Sequence, residues 1–430
     1  MLVALTIAGS DSVGGAGIEA DVKSMAAQGI HAAVAVTAIT AQNTTRVAGI
    51  FPLPATEVVA QIDAVLEDVH VSAAKTGMLY SAGIATAIAD RLSGENIPLV
   101  IDPVLVAGVG DALNRDDLIE ALREHVIPLA TIVTPNVPEA EALVGYKIED
   151  DATVRRACRD LAGMGAEAVL LKGGHMKTAE CTDTLFHDGK FLLLSGPRVD
   201  VRGHGGGCIL SSYLAANLAK GSSVWESALA SRAAIGDAII ARHVIGRGVP
   251  IVEPLGRQLR DAQRFQALSR LRSAAGEAAM AGPSGWLLGE NLSMAFALSG
   301  AEGAEDVCAV AVPSGQGIAC PCPSFGTARG LGLAILAAMK VDGRMRAGAE
   351  LPFSEELAKA VRKTKLSSRT IRDGHRSSLE SGMGPEDGLM LLDCVPDVVV
   401  DRGGPGRGPA IRLFASSPEE LLGKLRTMTR

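Results

Sequence analysis

The chain has 430 residues, of which 47% are hydrophobic and only 3% aromatic, and its formal net charge is −7. This length favours two or three domains. The scarcity of aromatic rings and the absence of a Lys/Arg block argue against a nucleic-acid partner, and no apolar run is long enough to predict a membrane span.

The seven cysteines are irregularly spaced and predict no disulfide framework, so we expect a cytoplasmic protein. Cys320 and Cys322 form a lone CxC without a histidine at ligand spacing, and we expect no fixed metal site there.

The first half of the chain alternates between strand and helix patterns. Short apolar strands are predicted at 2–8, 32–39, 99–101, 131–133 and 168–171, and helices at 18–28, 116–125 and 152–163. This alternation predicts an α/β fold with a mostly parallel sheet and helices on both faces. Polar residues follow several strands, at the edge where such sheets bind ligands. Asp188-Gly189 predicts a hairpin near the sheet edge.

The stretch 202–220, RGHGGGCILSSYLAANLAK, joins three glycines to a cysteine where a helix pattern begins. Gly205, Gly206 and Gly207 leave their N–H groups free to converge. A helix beginning near Cys208 adds the positive end of its dipole, so the pattern predicts a phosphate site. The same field would favour the thiolate of Cys208. A glycine-rich turn beside a buried, inert cysteine is the alternative, and these residues alone leave both interpretations open.

Seven motifs follow one another along the first half: TIAGSD at 6–11, GGAGI at 14–18, TAQNT at 40–44, KTGM at 75–78, DPV at 102–104, TPNVPEAE at 134–141 and KGGH at 172–175. In this order they resemble the hydroxymethylpyrimidine/phosphomethylpyrimidine kinases of thiamine biosynthesis, members of the ribokinase-like superfamily. The resemblance covers a predicted kinase domain at residues 1–255.

The resemblance implies phosphorylation of a hydroxymethylpyrimidine and then of its monophosphate, with ATP and Mg²⁺ as cofactors. It implies a pyrimidine held by Gly9, Ala16, Asp21, Gln42 and Met78. It implies nucleotide and magnesium contacts from Asp102, Asn136, Glu139, Lys172 and His204. Cys208 would be the base, beside the glycine loop, and such a reaction needs positioning and charge neutralisation above all.

The chain departs from the family pattern around the expected phosphate site. Gly206 and Ile209 stand where threonines are usual, the segment before His204 is one residue short, and the loop 107–110 lacks a polar pair. Each change removes a hydroxyl or a charge that could contact phosphate, whereas the backbone groups remain. We therefore expect weaker rather than absent nucleotide binding.

The second half shows another α/β pattern after a predicted linker, PIVEPLG at 250–256. Helices are predicted at 258–279, 327–339 and 354–365, and strands at 307–312, 398–400 and 411–414. A last helix begins at Ser417 with a proline in its first position. These elements predict a second, smaller domain at residues 258–430.

Two stretches of this half, FGTAR at 325–329 and PDVVVDRGG at 396–404 with GPAIR at 408–412, resemble archaeal-type thiamine-phosphate synthase domains. Glu290-Asn291 is a candidate third motif. The resemblance implies a ligand site with Arg329, Asp401, Arg402 and Arg412. A salt-bridged turn between two strands is the alternative for the last three residues.

Two catalytic groups of that family are replaced in this chain. Gly330 stands where the family has a histidine, and Ser314-Gly315-Gln316-Gly317 replaces a strand segment that carries an arginine. A domain that binds a thiamine-pathway phosphate without catalysis therefore competes with a synthase.

The leading hypothesis is a homo-oligomeric enzyme acting on pyrimidine and thiazole phosphates, without nucleic-acid or membrane partners. One alternative is a ribokinase-like kinase of another hydroxymethyl heterocycle, such as a vitamin B6 compound. Another is that the second half only senses thiamine phosphate.

Overall fold

The computed structural model describes residues 1–106, 117–175, 180–197, 203–280, 292–312, 322–327, 329–371, 389, 393–403 and 408–428. The chain forms two compact units, Met1–Leu259 and Arg260–Arg430. Across these described ranges, no helix combines the length and the apolar character that crossing a membrane requires.

The first unit is built on a nine-stranded sheet. In chain order its strands are β1 (Val3–Asp11), β2 (His31–Gln42), β3 (Val47–Pro52), β4 (Ala73–Thr76), β5 (Leu99–Ile101), β6 (Ile132–Val133), β7 (Ala168–Leu171), β8 (Glu180–His187) and β9 (Lys190–Pro197). They lie in the order β3-β2-β1-β4-β5-β6-β7-β8-β9. The pairings β2–β3, β7–β8 and β8–β9 are antiparallel. The six strands in the middle of the sheet, β2, β1, β4, β5, β6 and β7, run parallel. Their carboxyl ends therefore share one edge of the sheet.

Helices cover both faces of this sheet: α1 (Gly17–Ala27), α2 (Ala55–Leu66), α3 (Ala82–Leu92), α4 (Leu118–Ala121), α5 (Val137–Val144), α6 (Asp151–Gly163), α7 (Gly206–Ala219) and α8 (Val224–Ile240). Helices α2 to α6 share one core with Leu5 and Ile7 of β1. Helices α1, α7 and α8 share the opposite core with Ala4. Neighbouring residues of β1 thus face opposite cores, as the two-residue period of a strand requires, and the predicted α/β fold is confirmed.

Helix α7 is buried on all sides, from Ile209 to Ala219, as expected for a helix that is apolar all round. It begins at Gly206, two residues earlier than the sequence suggested. The residue before it, Gly205, has φ +91°, and a Cβ there would lie 1.8 Å from the carbonyl oxygen of Gly15. Only glycine fits this turn, because both the backbone conformation and the space exclude a side chain.

The hairpin predicted at Asp188-Gly189 is present, with φ +51° and +71°, and joins β8 to β9. The sequence interpretation missed β3, an exposed edge strand without a clear apolar alternation. The predicted linker is also wrong. Ile251 and Val252 are 8% and 2% exposed, and the Val252 N–H donates to the carbonyl of His204, so the stretch belongs to the first unit.

The second unit has a seven-stranded sheet made of β10 (Leu292–Ala297), β11 (Val307–Val312), β12 (Ser324–Phe325), β13 (Ala347–Pro352), β14 (Ser368–Ile371), β15 (Val398–Asp401) and β16 (Ala410–Ala415). Its order is β12-β11-β10-β13-β16-β15-β14. Its helices are α9 (Gly256–Met280), α10 (Arg329–Val341), α11 (Glu355–Lys363) and α12 (Pro418–Met428). Helices α9, α11 and α12 pack in one core, and α10 packs in the other.

Candidate active site

The N-terminus of α7 lies among charged residues at the carboxyl edge of the first sheet. A Cβ on Gly207 would lie 3.3 Å from Lys172 Nζ and 3.4 Å from Asp102 Oδ2. The N–H of Ile209 donates to the carbonyl of Gly205 at 3.0 Å, so the N–H groups of the first turn have no acceptor inside the helix. Unpaired N–H groups beside a lysine form a site suited to a phosphate.

Lys172 joins two carboxylates at this edge. Its Nζ lies 2.9 Å from Asp102 Oδ1 and 3.7 Å from Glu139 Oε2. Asn136 caps α5, because its Oδ1 accepts from the Glu139 N–H at 2.9 Å and its own N–H donates to Glu139 Oε2 at 2.8 Å. The structure therefore brings together four of the five residues expected to contact nucleotide and magnesium.

Burial shifts the pKa values of this group. Burial raises the pKa of Glu139 to about 7, where the charge of Lys172 opposes the shift and that of Asp102 adds to it. Burial opposes the charge of Lys172, but Asp102 and Glu139 raise the pKa of its ammonium above the ordinary value. Lys172 is thus charged throughout the neutral range, whereas Glu139 changes its charge near pH 7.

The thiolate expected at Cys208 is wrong for this structure. Burial raises the pKa of the Cys208 thiol to about 12; Lys75 opposes this shift, and the charges of Asp21 and Asp102 add to it. A hydrogen bond from the Gly17 N–H also favours the thiolate. The field at a helix end is short-ranged and partial, so desolvation and two carboxylates outweigh it.

Asp21 is buried in an ion pair with Lys75. Its two carboxylate oxygens accept from Lys75 Nζ at 2.9 and 2.8 Å, and both residues are fully buried. Thr6 Oγ1 and Ser212 Oγ donate to the same carboxylate at 2.6 and 2.7 Å. Four short donor contacts occupy the carboxylate, so the direct pyrimidine contact implied for Asp21 does not fit this arrangement.

The imidazole of His204 contacts Gln42 and Asp11. Its Nε2 is 2.7 Å from Gln42 Nε2 and 3.0 Å from Asp11 Oδ2. A bridge to Ile251 holds its backbone, and the turn at Gly205 separates it from α7. The nucleotide contact implied for His204 stays a prediction, and the contacts of its side chain are with Gln42 and Asp11.

Asp11, the last residue of β1, lies beside His204. The N–H groups of Gly15 and Ala16 donate to its Oδ2 at 2.9 and 2.8 Å, and that of Val13 donates to Oδ1 at 3.1 Å. Burial opposes its charge, but hydrogen bonds from His204, from the Val13 N–H and from the Ala16 N–H lower the pKa of Asp11. The polar loop after a buried strand was the available signal.

Met78 and Gly9 lie against each other at the ends of β4 and β1. A Cβ on Gly9 would lie 2.6 Å from Met78 Cε, and Met78 is 7% exposed. Thr37 Oγ1 donates to the Met78 carbonyl at 2.6 Å. The Met78 side chain therefore packs against Gly9, where the absence of a Cβ leaves room for it.

In the second unit, the predicted ligand residues are bound to carboxylates. Arg412 donates from Nε to Glu350 Oε2 at 2.7 Å and from Nη1 to Asp401 Oδ2 at 3.2 Å. Arg402 donates to both carboxylate oxygens of Glu355, at 2.7 and 3.2 Å. This arrangement agrees with the salt-bridged turn that the sequence left as an alternative.

A cleft of about 350 Å³ lies beside this turn. Its polar lining includes Ser293, Ser324, Thr327 and Glu350, and its wall includes Gly330 at the start of α10. The Arg329 side chain and the stretches 290–291, 314–317 and 404–406 lie outside the described residues, as do 107–110 and Cys320.

Comparison with known proteins separates the chain into the same two regions. Residues 11–253 match the family model of phosphomethylpyrimidine kinase, and residues 288–427 match that of the thiamine-phosphate synthase ThiN. The hydroxymethylpyrimidine/phosphomethylpyrimidine kinase of Rhizobium meliloti (strain 1021) is 46% identical over 250 residues, which are 57% of this chain and 94% of that protein.

Two solved structures resemble the first unit. Phosphomethylpyrimidine kinase from Clostridium difficile 630 has a TM-score of 0.51 and 38% identity, and the match covers 56% of this chain and all of that one. The ADP complex of Bacillus subtilis pyridoxal kinase has a TM-score of 0.56 and 32% identity, and the match covers 60% of this chain and 99% of that one.

Glu139→Gln should change how stability depends on pH. The folded pKa near 7 exceeds the ordinary value near 4.5, so the contribution of Glu139 is complete below pH 4.5 and is lost as pH rises to 7. Relative to E139Q, the unchanged chain should lose on the order of a few kcal/mol between pH 5 and 8, measured as a falling difference in Tm.

Glu141→Gln, on the same helix, is the control with the opposite sign. Hydrogen bonds from the Ile148 N–H and from Lys147 lower the pKa of Glu141, so its contribution is present above the ordinary pKa. If the Tm of E139Q and that of the unchanged chain varied with pH in parallel, the raised pKa of Glu139 would be contradicted.

Proposed function

The chain belongs to the phosphomethylpyrimidine kinase family, and we propose that the groups around Cys208 carry out its reaction. The first unit phosphorylates hydroxymethylpyrimidine and its monophosphate in thiamine biosynthesis, with ATP as the phosphoryl donor. One observation supports the assignment of roles most directly. The start of α7 lies beside Lys172 and Asp102, and Cys208 is the third residue of that helix.

The γ-phosphate of ATP binds at the first turn of α7, where backbone N–H groups and Lys172 meet its negative charge. Asp102 and Glu139 suit Mg²⁺, which takes one or two carboxylates together with substrate phosphates. Bound there, Mg²⁺ would neutralise charge on the phosphates. Lys172 Nζ, 2.9 Å from Asp102 and 3.7 Å from Glu139, offsets the negative charge of the two carboxylates.

Cys208 accepts the proton of the substrate hydroxymethyl group. Its pKa of about 12 shows what must change for this step. Asp102 is one of the charges that raise that pKa, so its neutralisation by a bound cation shifts Cys208 towards the thiolate. Lys75 supplies the positive charge that remains beside the thiolate.

A kinase of pyridoxal is the second candidate for this unit. The observation that favours it is the 32% identity to Bacillus subtilis pyridoxal kinase. Comparing kcat/KM for hydroxymethylpyrimidine and for pyridoxal, with Mg-ATP in both assays, separates the two candidate activities.

We also propose that the protein is a homo-oligomer and that it is located in the cytoplasm.

The second unit binds a phosphorylated compound of the thiamine pathway, and any synthase activity is slow. Its cleft offers the Glu350 carboxylate to a cationic ring and the start of α10 to a phosphate. Gly330 lines this cleft where the resemblance implies a histidine, so a group that could protonate a leaving diphosphate is missing. A zwitterion such as thiamine phosphate fits the two charges.

Cys208→Ala should lower kcat with hydroxymethylpyrimidine by roughly 100-fold or more, the usual scale for a positioned base. The KM for ATP should stay nearly unchanged, because the phosphate contacts come from backbone groups and Lys172 rather than from the thiol. Cys208→Ser should recover little, since a hydroxyl ionises less readily than a thiol. Cys181→Ala, in β8, is the matched control; near-normal turnover of C208A would remove Cys208 from the mechanism.

Gly206→Thr should lower the KM for ATP roughly fivefold, because a hydroxyl at this position can donate to the phosphate. In the part of the chain that the structure describes, no atom lies within 4 Å of the position that a Cβ on Gly206 would occupy. The position therefore has room for a side chain. Gly206→Val has the same shape without the hydroxyl and should leave this KM unchanged. An equal improvement in both variants would assign the effect to helix stability.

Glu350→Gln should weaken the binding of thiamine phosphate to the full chain roughly tenfold, as expected for a lost ion pair in a cleft. Glu355→Gln is the control, because Glu355 pairs with Arg402 and does not line the cleft. Calorimetry measures binding, and a product assay with both synthase substrates measures turnover. Equal affinities would remove Glu350 from the site, and rapid product formation would contradict the slow-synthase proposal.

A further inference from the structure

Three buried polar side chains form a chain of contacts beside the expected pyrimidine site. His204 is 2% exposed, Asp11 4% and Gln42 9%. His204 Nε2 lies between the other two, 3.0 Å from Asp11 Oδ2 and 2.7 Å from Gln42 Nε2. One ring nitrogen thus faces a carboxylate and an amide, and it offers both of them either one hydrogen or one lone pair, depending on the tautomer.

The carboxylate decides which tautomer is stable. Asp11 is held by three backbone N–H groups, which favour its ionised form, and an ionised oxygen needs a donor. His204 Nδ1 is buried and has no hydrogen-bond partner among the described residues. A proton on Nδ1 would therefore be buried without an acceptor, at a cost of about 1–3 kcal/mol. In the neutral ring the hydrogen is therefore on Nε2. The protonated imidazolium also carries a hydrogen on Nε2, so both forms present a donor to Asp11.

This proton determines the orientation of the Gln42 amide. An N–H on His204 pointing to Asp11 cannot accept from the amide nitrogen of Gln42, so two donors would face each other at 2.7 Å. Turning the amide by 180° places Oε1 against the His204 N–H, so that Asp11 and Gln42 accept the same hydrogen in a three-centre arrangement. The amide nitrogen then faces away from His204.

We propose that His204 is a positioning residue that determines which substrate the kinase recognises. Held by Asp11, His204 orients the Gln42 amide so that its Nε2 donates a hydrogen bond to the substrate. The substrate must then offer a hydrogen-bond acceptor at this place, such as an unprotonated ring nitrogen of a pyrimidine. This inference rests on the proposed kinase function and assigns the substrate-facing group of that site.

The surrounding chain holds His204 firmly enough for this role. Its N–H donates to the Pro250 carbonyl at 2.8 Å, and its carbonyl accepts from Val252 at 3.2 Å. On the other side, a Cβ on Gly15 would lie 2.6 Å from His204 Cδ2 and 3.0 Å from Ile251. The imidazole is packed between a glycine loop and the 250–252 stretch, so its ring has little freedom to turn.

The test compares His204→Met, which has no donor, with His204→Gln, whose amide N–H can occupy the position of the imidazole Nε2–H. H204M should raise the KM for hydroxymethylpyrimidine about tenfold, the factor for one net hydrogen bond of about 1.4 kcal/mol. Its kcat and its KM for ATP should stay within about twofold of the unchanged chain. H204Q should restore most of the lost affinity. His31→Met, exposed at the opposite end of β2, is the matched control.

A double-mutant cycle separates positioning from general damage. His204 acts through Gln42, so H204M should add nothing to the KM of a Q42A variant. Additive effects, an equal rise of both KM values, or an H204Q variant that behaves like H204M would overturn the inference. Turnover of hydroxymethylpyrimidine by the unchanged chain tests the kinase function separately, so the two failures are distinguishable.

Discussion

Lys75 and Asp21 form a buried ion pair that joins four elements of the first unit and acts electrostatically on Cys208. Lys75 lies on β4 and Asp21 on α1, while Thr6 of β1 and Ser212 of α7 donate to the same carboxylate. Both charges are fully buried, and removing one partner of such a pair costs about 3–5 kcal/mol. Four elements must therefore meet with correct hydrogen-bond geometry before the pair is stable.

The position of α7 follows from this constraint, and the position of Cys208 follows from α7. On one side of the helix start are Lys172 and its two carboxylates, which can meet phosphates and a cation. On the other side are Gln42 and His204, which can meet a heterocycle. The charges that secure the helix also act on the thiol: Lys75 lowers its pKa and Asp21 raises it. Because these charges oppose each other, burial decides the outcome.

In the second unit, too, a buried ion pair determines which groups remain available to a ligand. Arg412 is 7% exposed and contacts Glu350 and Asp401, so its guanidinium is already neutralised. A ligand of this unit must meet groups that remain accessible, and Glu350 lies in the cleft wall. Arg412, which the resemblance implies as a ligand residue, thus contacts Glu350, the carboxylate in the cleft wall.

The sequence by itself determined the α/β alternation, the hairpin at Asp188-Gly189 and the family, because periodicity, turn residues and motif order are local properties. It also placed Asp102, Glu139 and Lys172 at one sheet edge, since each follows or caps an element at the end of a parallel strand. Only the tertiary structure decided that His204 contacts Gln42 and Asp11 and that Asp21 pairs with Lys75. Those outcomes depend on contacts between residues 54 to 193 positions apart. The pKa of Cys208 was likewise decided by folding, because desolvation and through-space charges exist only once distant segments have packed around the thiol.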